Sequence, residues 1–373
     1  MPVASSLETV LFRQHVRLGV GVQKRAGPRL RLLVELACGA AAVLSAAGLV
    51  TLHATYINAP EQPVARALRD AMTQMRGAPL LRIVLTDEPA GCAINEHATG
   101  TSFWFARDKG VATLGQEART QLHVRHVTVA CGLRAVPRFV ELDSVVANAV
   151  LSGCGRGWLK AERSGELYDL SIQDSNSLAV MGRAVFVLFA TSTLVHYTLR
   201  ETQARMLQFT SELRETISSR RSYARLVTRH LLDSAAFAPI MVGMLAFLFE
   251  FFADQILGLT ILTLMWGVEL FVAVSVRARS SILFLPNIVM VYLFSLHCYL
   301  FKWPFGFRYV ALCACVCAIL HAVCFFFNRH ELPALRRGSV CAGVPRDTGP
   351  TCDAGSRGQA GSFRSPSRRR HSD

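Results

Sequence analysis

The sequence predicts a polytopic α-helical membrane protein with about six transmembrane helices and one small α+β domain between the first and second of them. Hydrophobic residues make up 51% of the 373 residues. They are concentrated in blocks whose helical length matches the hydrocarbon core of a bilayer, about 30 Å. The formal net charge is +14, and the basic excess lies in segments that alternate with the apolar blocks, as the positive-inside bias requires.

The first membrane helix is predicted over residues 35–57, after a basic N-terminal segment that covers residues 1–34. Its apolar run is longer than the roughly 7–15 residues of a signal-peptide core. We therefore expect an uncleaved signal-anchor. A cleaved signal, with a small-residue site before Thr55, is the alternative.

Residues 58–177 are the only segment long enough for a folded soluble domain. They hold 13 basic and 13 acidic residues and are neutral. Runs of β-branched and aromatic residues predict strands, and apolar periodicity predicts helices. The strands are expected at 80–86, 101–106, 122–130 and 166–172, and the helices at 61–75 and 139–151. The sequence thus predicts an α+β domain on an antiparallel sheet.

The second crossing is predicted over 178–199, and residues 200–234 follow it as a basic segment. Apolar residues recur there at helical spacing, with arginines between them, which is typical of a basic amphipathic helix. Such a helix suits a membrane surface or a partner protein. It can equally be a solvated helix that docks on the crossings.

The apolar run 235–276 is interrupted near its middle by two carboxylates, Glu250 and Asp254. As one helix it would be about 63 Å long at 1.5 Å per residue, which is too long for one crossing and suits two. We expect a hairpin with Asp254 at its turn and Glu250 one helical turn below. The last four crossings are therefore predicted as a bundle at 235–252, 256–276, 282–300 and 309–327.

The orientation follows from the four basic segments, which are 1–35, 200–234, 277–281 and 328–373. Together they hold 24 basic and 10 acidic residues, and six alternating crossings place all four on one side, which is the cytosol. Both termini are then cytosolic, and 58–177 faces the lumen or the exterior. The charge is explained by topology and by attraction to anionic membrane lipids, so no nucleic-acid partner is expected.

The C-terminal tail, residues 328–373, is predicted to be cytosolic. From about residue 338 it is rich in Gly, Ser, Pro and Arg. A segment of that composition has too few apolar residues to form a core, so disorder is expected there.

Three cysteines fall in the predicted luminal domain, and an odd number implies one disulfide and one free thiol. Cys92 and Cys131 flank predicted strands and are the expected pair, although the sequence leaves the pairing open. Four further side chains share one face of the last crossing: Cys313, Cys317, His321 and Cys324. One helix usually supplies only two ligands to an ion, so we expect close helix packing at this face, and neither a metal nor a cofactor.

Ionisable residues inside membrane helices are costly and often functional. Glu269 and His321 each lie about 10 Å from the cytosolic end of their crossings by helix rise. We therefore hypothesise that they form an interhelical pair that fixes the packing of the bundle. Glu250 and His297 form a similar set near the luminal end.

Several motifs resemble the membralin family. The segment LHAVCFFFNRHELPAL (320–335) is similar to the end of that family's last membrane helix, with His321, an aromatic run, and Glu331 and Pro333 in a Glu-Leu-Pro motif. Other matches are a Glu-Phe-Phe-x-Asp signature at 250–254, Trp266 with Glu269, MGRAVF at 181–186 and LFRQHVRLGV at 11–20. The likeness covers both ends of the chain and all crossings, but is weak over 58–177.

This resemblance implies an endoplasmic reticulum membrane protein that acts in protein degradation from that organelle, beside membrane ubiquitin ligases and the extraction machinery. It implies a non-enzymatic scaffold or adaptor, because the family provides no catalytic residues to carry over. The sequence also lacks the hydrolase, metalloprotease and phosphate-loop motifs. One alternative is a transporter or channel that uses Glu250, Glu269, His297 and His321. Another is a membrane-embedded enzyme with a metal bound by Cys317 and His321.

Overall fold

The computed structural model describes residues 2–57, 65–66, 68–70, 80–86, 91–95, 100–132, 142–171, 176–219, 224–252 and 254–337. The chain divides into two compact units. The first unit contains residues 1–43, 185–295 and 315–373, and the second contains 44–184 and 296–314. The predicted disordered tail from residue 338 lies outside the described residues.

The second unit is built on a six-stranded sheet in the order β2-β4-β1-β3-β5-β6. The strands, in chain order, are β1 (Leu80–Thr86), β2 (Gly91–Ile94), β3 (Thr101–Ala106), β4 (His126–Gly132), β5 (Trp158–Ala161) and β6 (Leu167–Asp169). Strands β1 and β4 pair in parallel, and the other pairs are antiparallel.

One face of this sheet forms the main core of the unit. Leu81, Ile83, Phe103 and Phe105 are almost fully buried on that face. The helix Leu142–Cys154 covers them with the small side chains from Val146 to Val150. Burying an aliphatic or aromatic side chain stabilises the fold by about 1.5–3 kcal/mol, so this face contributes strongly to the stability of the domain.

The pairing differs from the predicted antiparallel sheet in one pair, because β1 and β4 are parallel. Two short helices, Lys109–Thr113 and Gln116–Gln121, lie between β3 and β4. This crossover returns the chain to the far side of β1, which makes β4 parallel to it. Strands β2 and β5 were not predicted, since four-residue strands carry little periodicity. His123 lies before β4 with a φ of 46°, and not on a strand as expected.

Long helices make up most of the rest of the chain. They are Pro2–Arg25, Pro28–Tyr56, Ser177–Ser218, Ala224–Phe249, Gln255–Ser275, Arg279–Lys302 and Arg308–Phe326. The last one continues through a π-helical turn, Phe327–Glu331, into the helix Leu332–Arg337.

Five helices of the described part are long and apolar enough to cross a bilayer: Pro28–Tyr56, Ser177–Ser218, Gln255–Ser275, Arg279–Lys302 and Arg308–Arg337. The chain is thus a multi-pass membrane protein by helix length and composition. The predicted crossing 235–252 falls in the helix Ala224–Phe249, which is not one of these five. The count of six remains a prediction.

The segment 200–234 does not form the single amphipathic helix that its periodicity predicted. Ser177–Ser218 is one continuous helix of 42 residues, and Ala224 begins the next one. The ring of Phe209 stacks on that of His230 at 4.3 Å between centroids, so the two helices lie side by side here. Helical periodicity is the same in one long helix and in two antiparallel ones, so the pattern alone could not separate them.

The carboxylates at 250–254 mark the turn between two helices. The helix Ala224–Phe249 ends just before Glu250, and Asp254 is the N-cap residue of Gln255–Ser275. The Asp254 carboxylate accepts hydrogen bonds from the backbone N–H groups of Ile256 and Leu257 at 3.0 and 3.2 Å. An Asp at this position satisfies N–H groups that the helix leaves unpaired.

In the second unit, the sheet domain packs on the ends of the helices Pro28–Tyr56 and Arg308–Phe326 and on the connection that precedes the latter. Val145 and Phe307 are buried together, and Leu52, Tyr56 and Val310 pack against them. The amide of Asn148 donates a 2.7 Å hydrogen bond to the Phe305 carbonyl. The end of helix Pro28–Tyr56 and the Lys302–Arg308 connection therefore lie on the same side as the domain.

Candidate functional site

Glu331 stands at the centre of the candidate site, and the backbone around it has an unusual helical geometry. The N–H of Leu332 donates to the carbonyl of Phe327, which is an i→i+5 bond. Pro333 follows, and it has no N–H and crowds the carbonyl four residues before it. A local π turn relieves that crowding and changes the direction of the preceding side chains. Such turns frequently occur at functional positions.

The Glu331 carboxylate binds the start of another helix. Its Oε1 accepts hydrogen bonds from the backbone N–H groups of Arg277 and Ala278, both at 3.0 Å. Oε2 lies 3.1 Å from the Ala278 nitrogen. These groups precede the helix Arg279–Lys302, whose first N–H groups carry partial positive charge. Glu331 thus acts as a cap supplied from a distant part of the sequence.

His15 and Arg277 complete this buried group, and each is 1% exposed, as is Glu331. The His15 Nε2 lies 3.8 Å from Glu331 Oε2. Burial, and then the charge of Arg277, lower the pKa of His15 to about 4, so His15 is neutral near pH 7. The group joins the N-terminal helix Pro2–Arg25, the turn before Arg279 and the last membrane helix.

A second polar contact joins the first predicted crossing to the last. Glu35 is 6% exposed and lies 3.4 Å from the Arg329 guanidinium. The Asn328 amide donates to Glu35 Oε2 at 3.2 Å. We call this contact, together with Cys38, Gly39, His321 and Cys324, the 35–329 seam.

Small residues bring the two backbones together along the seam. A Cβ atom at Gly39 would lie 3.1 Å from the His321 ring, so the ring rests directly on the glycine. The thiols of Cys38 and Cys324 are neighbours across the seam. No group of three or more His, Cys, Asp or Glu side chains in the described ranges is arranged to hold a metal ion. The contacts support the interpretation of this face as a packing surface.

Glu269 has a different histidine partner from the one expected. Its Oε2 lies 4.0 Å from His196 Nδ1, on the helix Ser177–Ser218, whereas His321 packs in the 35–329 seam. Trp266, one turn before Glu269, is 43% exposed. It lines an apolar cavity of about 310 Å³ with Leu194, Val195, Thr198 and Leu262.

The other predicted site residues have separate surroundings. Glu250 is exposed in the turn that Asp254 ends. His297 is fully buried, with its ring 6.1 Å from that of Phe301. Glu250 and His297 belong to different units.

In the sheet domain, Cys131 is disulfide-bonded, and the strand register places Cys92 directly opposite it. That register is the one that a Cys92–Cys131 bond needs, and the pairing itself remains a prediction. Cys154 is a free thiol, and burial raises its pKa to about 12.

Sequence reasoning missed His15, Arg277, Glu35 and His196 as members of these contacts. The signal for Glu35 was its place at the start of an apolar run, and for His196 its place inside one. Nothing local distinguishes His15 or Arg277 from other polar residues at the ends of membrane helices.

Comparison with known proteins gives one relative. The chain is 33% identical over 260 residues to a membralin-like protein of Arabidopsis thaliana. The match covers 63% of this chain and 42% of the relative, so the chain spans less than half of that protein's length. No family model and no solved structure matches the chain.

Proposed function

We propose, from the similarity of this chain to a membralin-like protein, that it is a non-enzymatic scaffold or adaptor in protein quality control of the endoplasmic reticulum. In this proposal the sheet domain faces the lumen and receives a client protein. The cytosolic helices and the basic tail recruit a membrane ubiquitin ligase and the degradation machinery. Membrane lipids are its other partners, and neither a cofactor nor a nucleic acid takes part.

The observation that carries the proposal is the family relationship. The polar contacts inside the first unit support a structural role for its buried and half-buried carboxylates. Glu331 caps a helix, Glu35 contacts Arg329 and Asn328, and Glu269 contacts His196. These contacts join helices to one another, which is what a scaffold needs.

The proposed orientation agrees with the observed contacts between segments of the chain. The Pro2–Arg25 helix, the turn at Arg277 and the Glu331 segment are in contact, and all three are predicted to be cytosolic. The sheet domain contacts the Lys302–Arg308 connection, and both are predicted to be luminal. Alternation of six crossings requires both groupings.

Purification of the full chain from microsomes in mild detergent, followed by identification of its partners, tests the function. A membrane ubiquitin ligase and extraction factors should co-purify. The test variant carries Met206→Glu and Ile217→Glu, at two exposed apolar residues of the predicted cytosolic segment, and it should lose these partners and remain folded.

Two other outcomes would count against the scaffold. Ion or solute flux in liposomes driven by a gradient would favour the transporter alternative. A stoichiometric metal in the purified protein would favour the enzyme alternative.

A further inference from the structure

The second face of the sheet, opposite the Leu142–Cys154 helix, carries an arginine–tryptophan cluster that the proposed function leaves unassigned. Thr128, Arg82, Trp104 and Lys160 lie directly opposite one another on four neighbouring strands. Residues in one such row project from the same face. The row therefore places two cations beside one indole ring.

A second arginine reaches the same ring from the short helix Gln116–Gln121. The guanidinium of Arg119 lies 3.9 Å from the centroid of the Trp104 ring, and that of Arg82 lies 5.5 Å from it. The His126 ring meets Trp104 edge-on at 5.6 Å. Stacking on an aromatic face fixes the plane of a guanidinium and leaves its N–H groups directed outward.

The cluster has more hydrogen-bond donors than acceptors. The indole Nε1 of Trp104 and the Nε atoms of Arg82 and Arg119 are buried, and none has an acceptor in the part of the chain that the structure describes. Trp104 itself is only 8% exposed. A buried donor without a partner is unfavourable, so an acceptor that reaches these groups would be bound favourably.

The charge of the cluster is also unbalanced. Burial and the nearby Arg82 charge lower the pKa of Arg119, whereas Glu162 raises it. Glu162 is partly engaged elsewhere, because its carboxylate accepts a hydrogen bond from the Ser102 hydroxyl. Lys160 adds a further positive charge, with its Nζ 3.3 Å from the Thr113 carbonyl. A domain that is neutral as a whole thus has a local positive excess on this face.

We propose that Arg82, Arg119 and Trp104 form a binding site for a carboxylate of a polypeptide, either an acidic side chain or a free C-terminus. A guanidinium group can bind a carboxylate through two parallel N–H bonds, and the Trp104 ring holds two such groups side by side. This inference rests on the proposed function, because it assigns client recognition to a defined surface of the sheet domain.

The test is a calorimetric titration of the purified full chain in detergent with short capped peptides. One peptide carries glutamates, a second carries glutamines at the same positions, and a third is the glutamine peptide with a free C-terminal carboxylate. The glutamate peptide should bind, the glutamine peptide should not, and the third peptide shows whether a C-terminus is also accepted. Affinity should fall as salt increases, because the interaction is between charges.

Three variants locate the site. Arg82→Gln and Arg119→Gln should each weaken binding about tenfold or more, since each removes a charge-assisted hydrogen bond. Glu162→Gln should strengthen binding, because it removes the carboxylate that competes for the arginines. Arg156→Gln, at an exposed arginine of the same domain, is the matched control and should leave binding unchanged.

Trp104→Phe separates the indole donor from the ring. It keeps an aromatic ring and removes the Nε1–H, so a weaker affinity for the glutamate peptide in a variant that remains folded at the temperature of the titration supports the site. Equal binding of the glutamate and glutamine peptides would overturn the inference. An equal loss of affinity for the glutamate peptide in Arg82→Gln and Arg156→Gln would also overturn it. Inorganic phosphate that competes as tightly as the peptide would overturn the assignment to a polypeptide.

The outcome is independent of the test of the proposed function. Co-purified ligases without peptide binding would remove only this site. Peptide binding without ligases would leave the site and remove the adaptor role.

Discussion

Glu331 is a buried carboxylate with a structural role. A carboxylate at this burial is unfavourable unless it is paired or hydrogen-bonded. Glu331 meets that requirement with two backbone N–H groups at the start of a helix and with Arg277 and His15 nearby. The Glu-Leu-Pro motif is therefore explained locally, because Pro333 favours the π turn and the turn orients Glu331.

Glu331→Gln should lower the melting temperature of the purified protein. The substitution keeps the size of the side chain but removes its charge, and hydrogen bonds to charged groups contribute about 1.5–3 kcal/mol. Thermal unfolding in detergent measures the effect. Glu201→Gln is the control: its pair with Arg205 is an i,i+4 contact at 2.8 Å on the surface, and it should have little effect. Equal shifts in both variants would contradict the capping role.

His15 should make the protein less stable in mild acid. Its pKa is lowered from 6.5 to about 4, so the folded state binds this proton less readily than the unfolded state does. The stabilising contribution is therefore complete above pH 6.5 and is lost as the pH falls towards 4. Thermal unfolding between pH 7 and pH 4.5 tests this. In His15→Phe the loss over that range should be smaller, and an identical loss would refute the assignment.

At the scale of elements, the 35–329 seam shows why small residues occur in membrane helices. The helix Pro28–Tyr56 contacts the last helix through Gly39, Cys38 and Glu35. The absence of a side chain at Gly39 lets the His321 ring lie against the backbone. Packing of this kind stabilises helix pairs where the hydrophobic effect is weak.

Gly39→Leu should destabilise the bundle, because its Cβ alone would lie 3.1 Å from the His321 ring. Gly48→Leu, on the same helix, is the control, since nothing lies within 4 Å of a Cβ there. We expect Gly39→Leu to lower the melting temperature and Gly48→Leu to leave it nearly unchanged. Elution profile and thermal unfolding in detergent measure both variants. The reverse order would show that the two helices do not meet at Gly39.

The thiols of Cys38 and Cys324 should form a disulfide under mild oxidation, because they are neighbours across the seam and both are free. Mass spectrometry after maleimide labelling counts the thiols that remain. Oxidised wild type should lose two labelling sites at these positions, and Cys38→Ser should leave Cys324 labelled. Cys313→Ser, at an exposed cysteine, should react as the wild type does. Continued labelling of Cys324 in oxidised wild type would contradict the seam.

At the scale of the whole molecule, contacts inside each unit bring together segments that are far apart in the sequence. The first unit joins Pro2–Arg25 to the Glu331 segment, and the second joins the sheet domain to the Lys302–Arg308 connection. Six alternating crossings, as the sequence predicts, would place each of these two groups on one side of the membrane.

Tags at the two ends of the chain should therefore be digested by protease added to sealed microsomes, while the sheet domain stays protected. The physical reason is the excess of arginine in the predicted cytosolic segments, which resists translocation. An antibody to each tag and one to the sheet domain give the readout, and detergent is the control that exposes all three. Protection of one tag alone would overturn the assignment of both termini to the cytosol.

The sequence predicted several elements closely. Strands 80–86 and 101–106 coincide with β1 and β3, and the break in the run 235–276 coincides with the turn before Gln255. Alternation and apolar run length are local properties, so the sequence carries them directly. The short strands β2 and β5 and the division of 200–234 into two helices were missed, because they depend on which segments pair.

The sequence by itself determined that this is a multi-pass membrane protein with one small sheet domain, since chain length, apolar blocks and charge follow from composition along the chain. Only the tertiary structure decided the partners: His196 for Glu269, the turn at Arg277 for Glu331, and β4 parallel to β1. Partners of this kind are far apart in the sequence. Their pairing depends on how helices and strands pack, which no local pattern specifies.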